Sequence, residues 1–105
     1  MTAATLLPMF SALADETRWR ILTELGEAEA SASALAGRLP VSRQAIAKHL
    51  AVLQEVGLVE PVRVGREVRF RVVGAELSAT AAKLDGIGRE WDRRLAAIKE
   101  IAEGL

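Results

Sequence analysis

The chain has 105 residues, with 14 basic and 14 acidic side chains and no cysteine. The absence of cysteine excludes disulfides, thiolate metal sites and thiol redox switches. The length suits one modest core, so we predict that residues 1–105 form a single domain. The N-terminus lacks a basic leader, and no apolar run has the length of a membrane span. We therefore expect a cytoplasmic protein that makes no contact with a membrane.

The charge is unevenly distributed along the chain, although its formal sum is zero. From Arg38 to Arg71, seven basic residues stand against three acidic ones, so this segment carries +4 and the remainder −4. A local positive surface attracts phosphate whatever the net charge is.

Two helices are predicted at the start. The first is short, with apolar residues on more than one side, and such a surface must be covered by the core or by a second subunit. Asp15 is a good N-cap for a second helix over residues 16–25, which Gly26 would end. We expect Trp19 to be buried together with the aliphatic residues of that helix.

A helix-turn-helix pattern follows. Residues 27–32 are predicted to be a connection, and either Ser31 or Ser33 caps a third helix. After a short turn, Ser42 is the predicted N-cap of a fourth helix over residues 43–56, whose exposed side carries polar and basic side chains. A helix, a turn of three or four residues and a second helix with a polar N-terminal face are typical of DNA-binding proteins.

The period of the apolar residues changes after Gly57. Alternation over residues 59–73 predicts two short strands, and Gly65-Arg66 suits a two-residue hairpin turn. On this pattern we expect an apolar face packed on the helices and an opposite, solvent-exposed arginine face. The apolar face would comprise Val62, Val64, Val68, Phe70 and Val72, and the arginine face Arg63, Arg69 and Arg71.

From Ala75 onward, apolar residues recur at heptad-like spacing, which predicts a long helix with a stripe suited to helix–helix packing. The fold is thus mainly α with a small β-hairpin (α+β), in the order α-α-α-α-β-β-α. Because the other elements supply a core of their own, we predict that the first and last helices form a homodimer interface. The predicted interface residues are Leu6, Met9, Phe10, Leu77, Leu84, Trp91, Leu95 and Ile98.

Several linked motifs resemble the ArsR/SmtB-type winged helix-turn-helix repressors. The segment LADETRWRIL (13–22) is similar to the family's LADPTRxxIL, with Glu16 where many members have proline. KHL (48–50), LQEVGLV (53–59) and the hairpin VRVGREVRFRV (62–72) also match. The resemblance covers nearly the whole chain.

The resemblance implies a homodimer that represses transcription by binding an imperfect palindrome in double-stranded DNA. Base edges and phosphates would be contacted from the fourth helix, and backbone or minor groove from the hairpin. The implied DNA-binding residues are Ser42, Arg43, Gln44, Lys48 and His49 on the helix, and Arg63, Arg66 and Arg69 on the hairpin.

The metal sites of the family have no counterpart in this sequence. Ser31 and Ser33 stand where metal-sensing members carry a cysteine box, and the last helix contains Asp and Glu but no histidine. The single histidine, His49, has no partner at ligand spacing, and we interpret it as structural or DNA-contacting. We predict no metal and no cofactor, while an unidentified small-molecule effector remains open.

The two alternatives to DNA binding are an enzyme and a protein–protein interaction module. An enzyme is not expected, since the chain offers no paired catalytic groups and no glycine-rich phosphate loop. A winged helix could also act as a protein–protein interaction module. The cluster of seven basic residues favours DNA. Neither the operator sequence nor the inducing signal is legible from the sequence.

Overall fold

The structure is a computed structural model that describes the backbone of residues 3–104 and the side chains of residues 7–104. The side chain of Leu6, a predicted interface residue, therefore lies outside the described residues. The chain forms two compact units, residues 1–74 (unit 1) and residues 75–105 (unit 2).

Unit 1 has the predicted winged helix-turn-helix architecture, with one additional strand. Its elements are α1 (Ala3–Leu13), α2 (Glu16–Glu27), β1 (Ala30–Ser31), α3 (Ala32–Arg38), α4 (Arg43–Glu55), β2 (Val59–Val64) and β3 (Glu67–Val72); α5 (Gly74–Glu103) follows. The α+β fold class is confirmed. The added strand β1 lies in the stretch predicted to be a plain connection.

Three side-chain caps start the helices. Asp15 accepts a hydrogen bond from the backbone N–H of Arg18, as predicted for the start of α2. Ser31, rather than Ser33, caps α3 by accepting from the N–H of Ala34. Ser42 caps α4 through a 3.1 Å bond from the N–H of Ala45. In each helix the cap satisfies a backbone donor that has no partner within the helix.

Two glycines act differently at the ends of their helices. Gly57, at φ +82°, ends α4, where its N–H and that of Leu58 return to the carbonyls of Gln54 and Leu53. This is a Schellman motif, and both leucines are buried. Gly26 does not end α2, because the helix continues to Glu27 and the N–H of Ala28 still bonds to it. Glycine inside a helix costs only about 1 kcal/mol, which neighbouring interactions can offset.

The small sheet is three-stranded and antiparallel, in the order β1-β3-β2, and the hairpin β2–β3 is its wing. β1 adds a short edge, with Ala30 opposite Phe70 and Ser31 opposite Arg69. β2 and β3 are joined by the predicted two-residue turn, in which Gly65 has a φ of +64°. Positive φ at the first central position is where glycine carries no steric cost.

The prediction of one apolar face and one arginine face on the hairpin was wrong. A two-residue turn places Val64 opposite Glu67, so every pair joins an odd-numbered residue to an even-numbered one. Val62 therefore lies opposite Arg69, and Arg63 opposite Val68. An even-numbered residue of β2 therefore lies on the opposite face of the sheet from an even-numbered residue of β3. The alternation within each strand did not reveal this, because it does not give the pairing between the strands.

Aliphatic side chains form the core of unit 1. The fully buried members include Ile21, Leu35, Ile46, Leu50, Leu53, Leu58 and Val59. Trp19 was expected among them but is 56% exposed. Ile21, Leu22 and Leu25 define the buried face of α2. Trp19 lies outside that face, on the side of the helix that carries the exposed Thr23.

Unit 2 consists of helix α5 (Gly74–Glu103) from residue 75 onward. Six of its large apolar side chains are exposed in this chain, from Leu77 at 39% to Ile101 at 67%. Among residues 3–104, no helix combines the length and the apolar character needed to cross a membrane.

Candidate nucleic-acid interface

The exposed side of α4 presents the predicted polar and basic side chains. Ile46, Leu50 and Leu53 are buried at helical spacing and fix the inward face. Arg43, Gln44 and Lys48 are consequently exposed, and Ser42 is exposed at the N-terminus of the same helix. A helix start with free N–H groups and cationic side chains in its first turn favours a phosphate.

A groove joins this helix to the wing. Arg43, in the first turn of α4, and Arg66, in the hairpin turn, line it together with Phe70 of β3. Ser31 and Ser33, at the start of α3, lie on the same groove, which we call the Arg43–Arg66 groove. The tertiary structure therefore brings two predicted DNA-binding residues from separate elements onto one surface.

Carboxylates within the molecule engage three of the seven basic residues. Arg38 lies 3.7 Å from Glu24, and the Nε of Arg71 donates to Glu60 across the hairpin at 2.6 Å. Arg69 lies between two carboxylates, 3.3 Å from that of Glu29 and 3.4 Å from that of Glu67. Hydrogen bonds to Glu67 and then Glu29 raise the pKa of the Arg69 guanidinium.

Of the seven basic residues between Arg38 and Arg71, four have no ion-pair partner among the side chains that the structure describes (residues 7–104). They are Arg43, Lys48, Arg63 and Arg66. All four are exposed, and all belong to α4 or the wing. Fewer unpaired cations are therefore available to an anionic partner than the sequence count suggested, and Arg69, a predicted contact, is already paired with two carboxylates.

His49 is placed differently from the other predicted residues of α4. Its side chain is 23% exposed and faces the start of α2. The Nδ1 atom lies 3.3 Å from Arg18 Nη1 and 4.0 Å from Asp15 Oδ1. Of the two roles considered for His49, this geometry favours the structural one.

The predicted interface residues also differ in their surroundings. Met9 is 4% exposed and belongs to the core of unit 1. Phe10 is half-buried, whereas Leu7 beside it is 65% exposed. In unit 2, the predicted residues Leu77, Leu84, Trp91, Leu95 and Ile98 are all exposed. Arg94 lies 5.4 Å from the centroid of the Trp91 ring, within cation–π distance.

Sequence reasoning missed the partners of several charged residues. Glu29 and Glu60 were not assigned to arginines of the wing, because those pairs depend on strand register and on β1. Arg18 was noted only as part of a motif. Its position three residues after the cap Asp15 predicted no contact with α4.

Comparison with known proteins gives the family. A helix-turn-helix domain family matches residues 13–62. The arsenical resistance operon repressor of Escherichia coli is 36% identical, over 95% of this chain and 86% of its own length. An ArsR-like transcriptional regulator of Rhodococcus sp. RHA1 has a solved structure that is 70% identical, with a TM-score of 0.80 over 94% of this chain and 93% of that one. The chain belongs to the ArsR family of transcriptional regulators.

A homodimeric member of this fold is also similar. The winged helix-turn-helix DNA-binding domain from Mycobacterium bovis, solved in solution, is 25% identical with a TM-score of 0.68, over 83% of this chain and 81% of that one. The ArsR-family protein described here is accordingly a DNA-binding transcriptional regulator and not an enzyme. In it, α3 and α4 form the helix-turn-helix, with α4 as the recognition helix, and β2–β3 forms the wing.

Proposed function

We propose that this ArsR-family regulator is a metal-independent repressor that binds a palindromic operator as a homodimer. The observation that carries the proposal is the Arg43–Arg66 groove, where the first turn of the recognition helix and the wing turn offer cations that have no ion-pair partner among the described residues. A two-fold dimer would present two such surfaces to two half-sites of one duplex.

The residues of this surface have separate roles in the proposal. Arg43 and Gln44 reach base edges in the major groove, where arginine pairs with guanine and glutamine with adenine through two hydrogen bonds. Ser42 and the N-terminus of α4 hold a phosphate, and Lys48, Arg63 and Arg66 add affinity that does not depend on sequence. Arg69 and His49 have partners within the molecule and contribute less directly.

The dimer is proposed to form through α1 and α5, so that residues 1–105 act as one DNA-binding domain with terminal dimerisation helices. The exposed apolar side chains of α5 support this, since contiguous apolar surface of this kind marks protein interfaces. The similar Mycobacterium bovis domain is a homodimer.

Metal independence is proposed from the donor set. The chain has no cysteine, and residues 3–104 contain no cluster of three or more His, Asp or Glu side chains able to hold a metal ion. Control would then come from a small molecule, a protein partner or the level of expression.

Fluorescence anisotropy with labelled duplex from the region upstream of the gene tests the proposal. We expect tight, salt-sensitive binding that competitor DNA of random sequence does not displace, with two protein chains per site. EDTA or added Zn²⁺ should leave the affinity unchanged. Binding that disappears in EDTA would contradict metal independence. An absence of salt-sensitive binding would contradict the function itself and favour an interaction module.

A further inference from the structure

The guanidinium of Arg18 links three helices of unit 1. It belongs to α2, and its side chain is only 16% exposed. Its Nε donates to the carbonyl of Ala12 at 2.8 Å and its Nη2 to the carbonyl of Ser11 at 3.1 Å. Both carbonyls lie in the last turn of α1, where helical carbonyls lack a partner of their own. Arg18 therefore closes the end of α1 from the neighbouring helix.

The remaining terminal nitrogen of the guanidinium contacts the recognition helix. Arg18 Nη1 lies 3.3 Å from Nδ1 of His49, which belongs to α4. Arginine only donates, so this hydrogen bond requires Nδ1 as the acceptor, which is the ring tautomer with its proton on Nε2. Asp15 lies beside both groups, 3.9 Å from Arg18 Nη1 and 4.0 Å from His49 Nδ1. One planar group thus connects the end of α1 to α4.

The contact lies behind the DNA-facing side of α4. His49 follows Lys48 directly, but it faces inward toward α2 while Lys48 is exposed. A helix of 13 residues moves as a rigid rod, so a shift at His49 also displaces Arg43 and Gln44 in its first turn. Recognition of a base edge needs hydrogen bonds of defined length and angle.

We propose that Arg18 is a positioning residue for DNA recognition: through its hydrogen bond to His49, it fixes the position of the recognition helix relative to the end of α1. The inference rests on the proposed function, because its readout is operator binding. It assigns no DNA contact to Arg18, whose donors are directed into the protein. The hydrogen bond to His49 distinguishes Arg18 from an arginine that only stabilises the fold.

Arg18→Ala and Arg20→Ala form the matched pair that tests this inference. Both remove one positive charge from α2, but Arg20 is exposed and, among the described residues, its ion-pair partner is Glu16 on its own helix. Measured by anisotropy well below the unfolding temperature, Arg18→Ala should weaken operator binding on the order of tenfold, and Arg20→Ala by less than about twofold. The salt dependence should not change in Arg18→Ala, because no phosphate contact is lost.

A double-mutant cycle with His49 provides the readout that a structural role would not move. His49→Leu removes the acceptor, and in combination with Arg18→Ala it should cause little additional loss. His49→Gln supplies an amide oxygen and should recover part of the affinity that His49→Leu loses. In the wild-type protein, the ring ¹⁵N shifts of His49 should show the proton on Nε2. If Arg18→Ala does not fold, the measurement is repeated with Arg18→Lys, which keeps the positive charge but lacks the planar guanidinium with its several donors.

The results separate failure of the positioning role from failure of the proposed function. If the wild-type protein does not bind its upstream DNA, both proposals are overturned. If the wild-type protein binds and the Arg18 variants bind equally well, only the positioning role is overturned. Additive losses in the cycle would equally overturn it, and would favour an independent contact between His49 and DNA.

Discussion

Arg43 and Arg66 lie on one groove, although one begins the recognition helix and the other forms the hairpin turn. The groove exists because β3 packs beside the start of α3, so the wing turn projects near the first turn of α4. Two cations on one surface favour a polyanion, but their different supports imply different roles. Arg43 is fixed by a capped helix, whereas Arg66 lies at the tip of a two-stranded hairpin.

Arg43→Ala should weaken specific binding and relax sequence preference. The loss of a bidentate contact to guanine costs about 1–3 kcal/mol of discrimination at that base pair. Competition between operator and random duplexes, measured with substitutions at each base pair, checks this. The effect should be confined to one position in each half-site.

Arg66→Ala should weaken binding to operator and random DNA alike, because a phosphate contact carries no sequence information. The slope of log K against log salt concentration should fall by about one for each bound protein chain. Equal behaviour of the Arg66 and Arg43 variants on both kinds of duplex would contradict this division of roles.

Arg63→Ala should weaken binding to random duplex more than Arg69→Ala does. Arg69 is held by Glu29 and Glu67, so much of its charge is already compensated, while Arg63 has no ion-pair partner within the described chain. Both residues lie on the wing and lose the same charge, which makes each the control for the other. Adding Glu29→Gln should increase affinity only where Arg69 is present. A larger loss for Arg69→Ala would show that its carboxylate partners release it on binding.

Ile98→Glu should dissociate the proposed homodimer. Ile98 is 61% exposed on the apolar stripe of α5, and burying a carboxylate at such a position in each subunit should weaken dimerisation on the order of 100-fold. Analytical ultracentrifugation over a concentration series measures this. Ala96→Glu places the same charge off the stripe and should leave the dimer intact. Equal sedimentation of the two variants would argue against an interface on this stripe.

Asp15→Asn should lower stability at neutral pH and have little effect in acid. The pKa of Asp15 is lowered, chiefly because its carboxylate accepts the backbone N–H of Arg18, with the charge of Arg18 also contributing. A carboxyl whose pKa is lower in the folded state contributes stability above its unfolded pKa and loses it as the pH falls through the folded value. Asparagine keeps a capping oxygen but no charge.

Urea unfolding of wild-type and Asp15→Asn protein at pH 7 and near pH 3 measures this difference. Glu27→Gln, at the other end of the same helix, controls for the general effect of removing a carboxylate. A stability difference that is the same at both pH values would assign the role of Asp15 to its shape alone.

Local features were predictable from the sequence because their causes lie within a few residues. The caps Asp15 and Ser42 each bond a backbone N–H three residues ahead, so the sequence alone indicated where α2 and α4 begin. Gly65-Arg66 predicted the two-residue turn, and the heptad spacing predicted the stripe of α5. The helix-turn-helix and its family followed from these signals together.

The tertiary structure decided what depends on residues distant in the chain. The parity of the β2–β3 pairs placed Val62 with Arg69, and β1 brought Glu29 to the same arginine. The helix packing turned His49 toward Arg18 and left Trp19 exposed. Sequence alone thus indicated that a basic helix and wing would bind DNA. Pairing across the strands decided which cations are available, because a charge is neutralised by its neighbours in space. Packing between the helices decided which residues contact the inner side of α4.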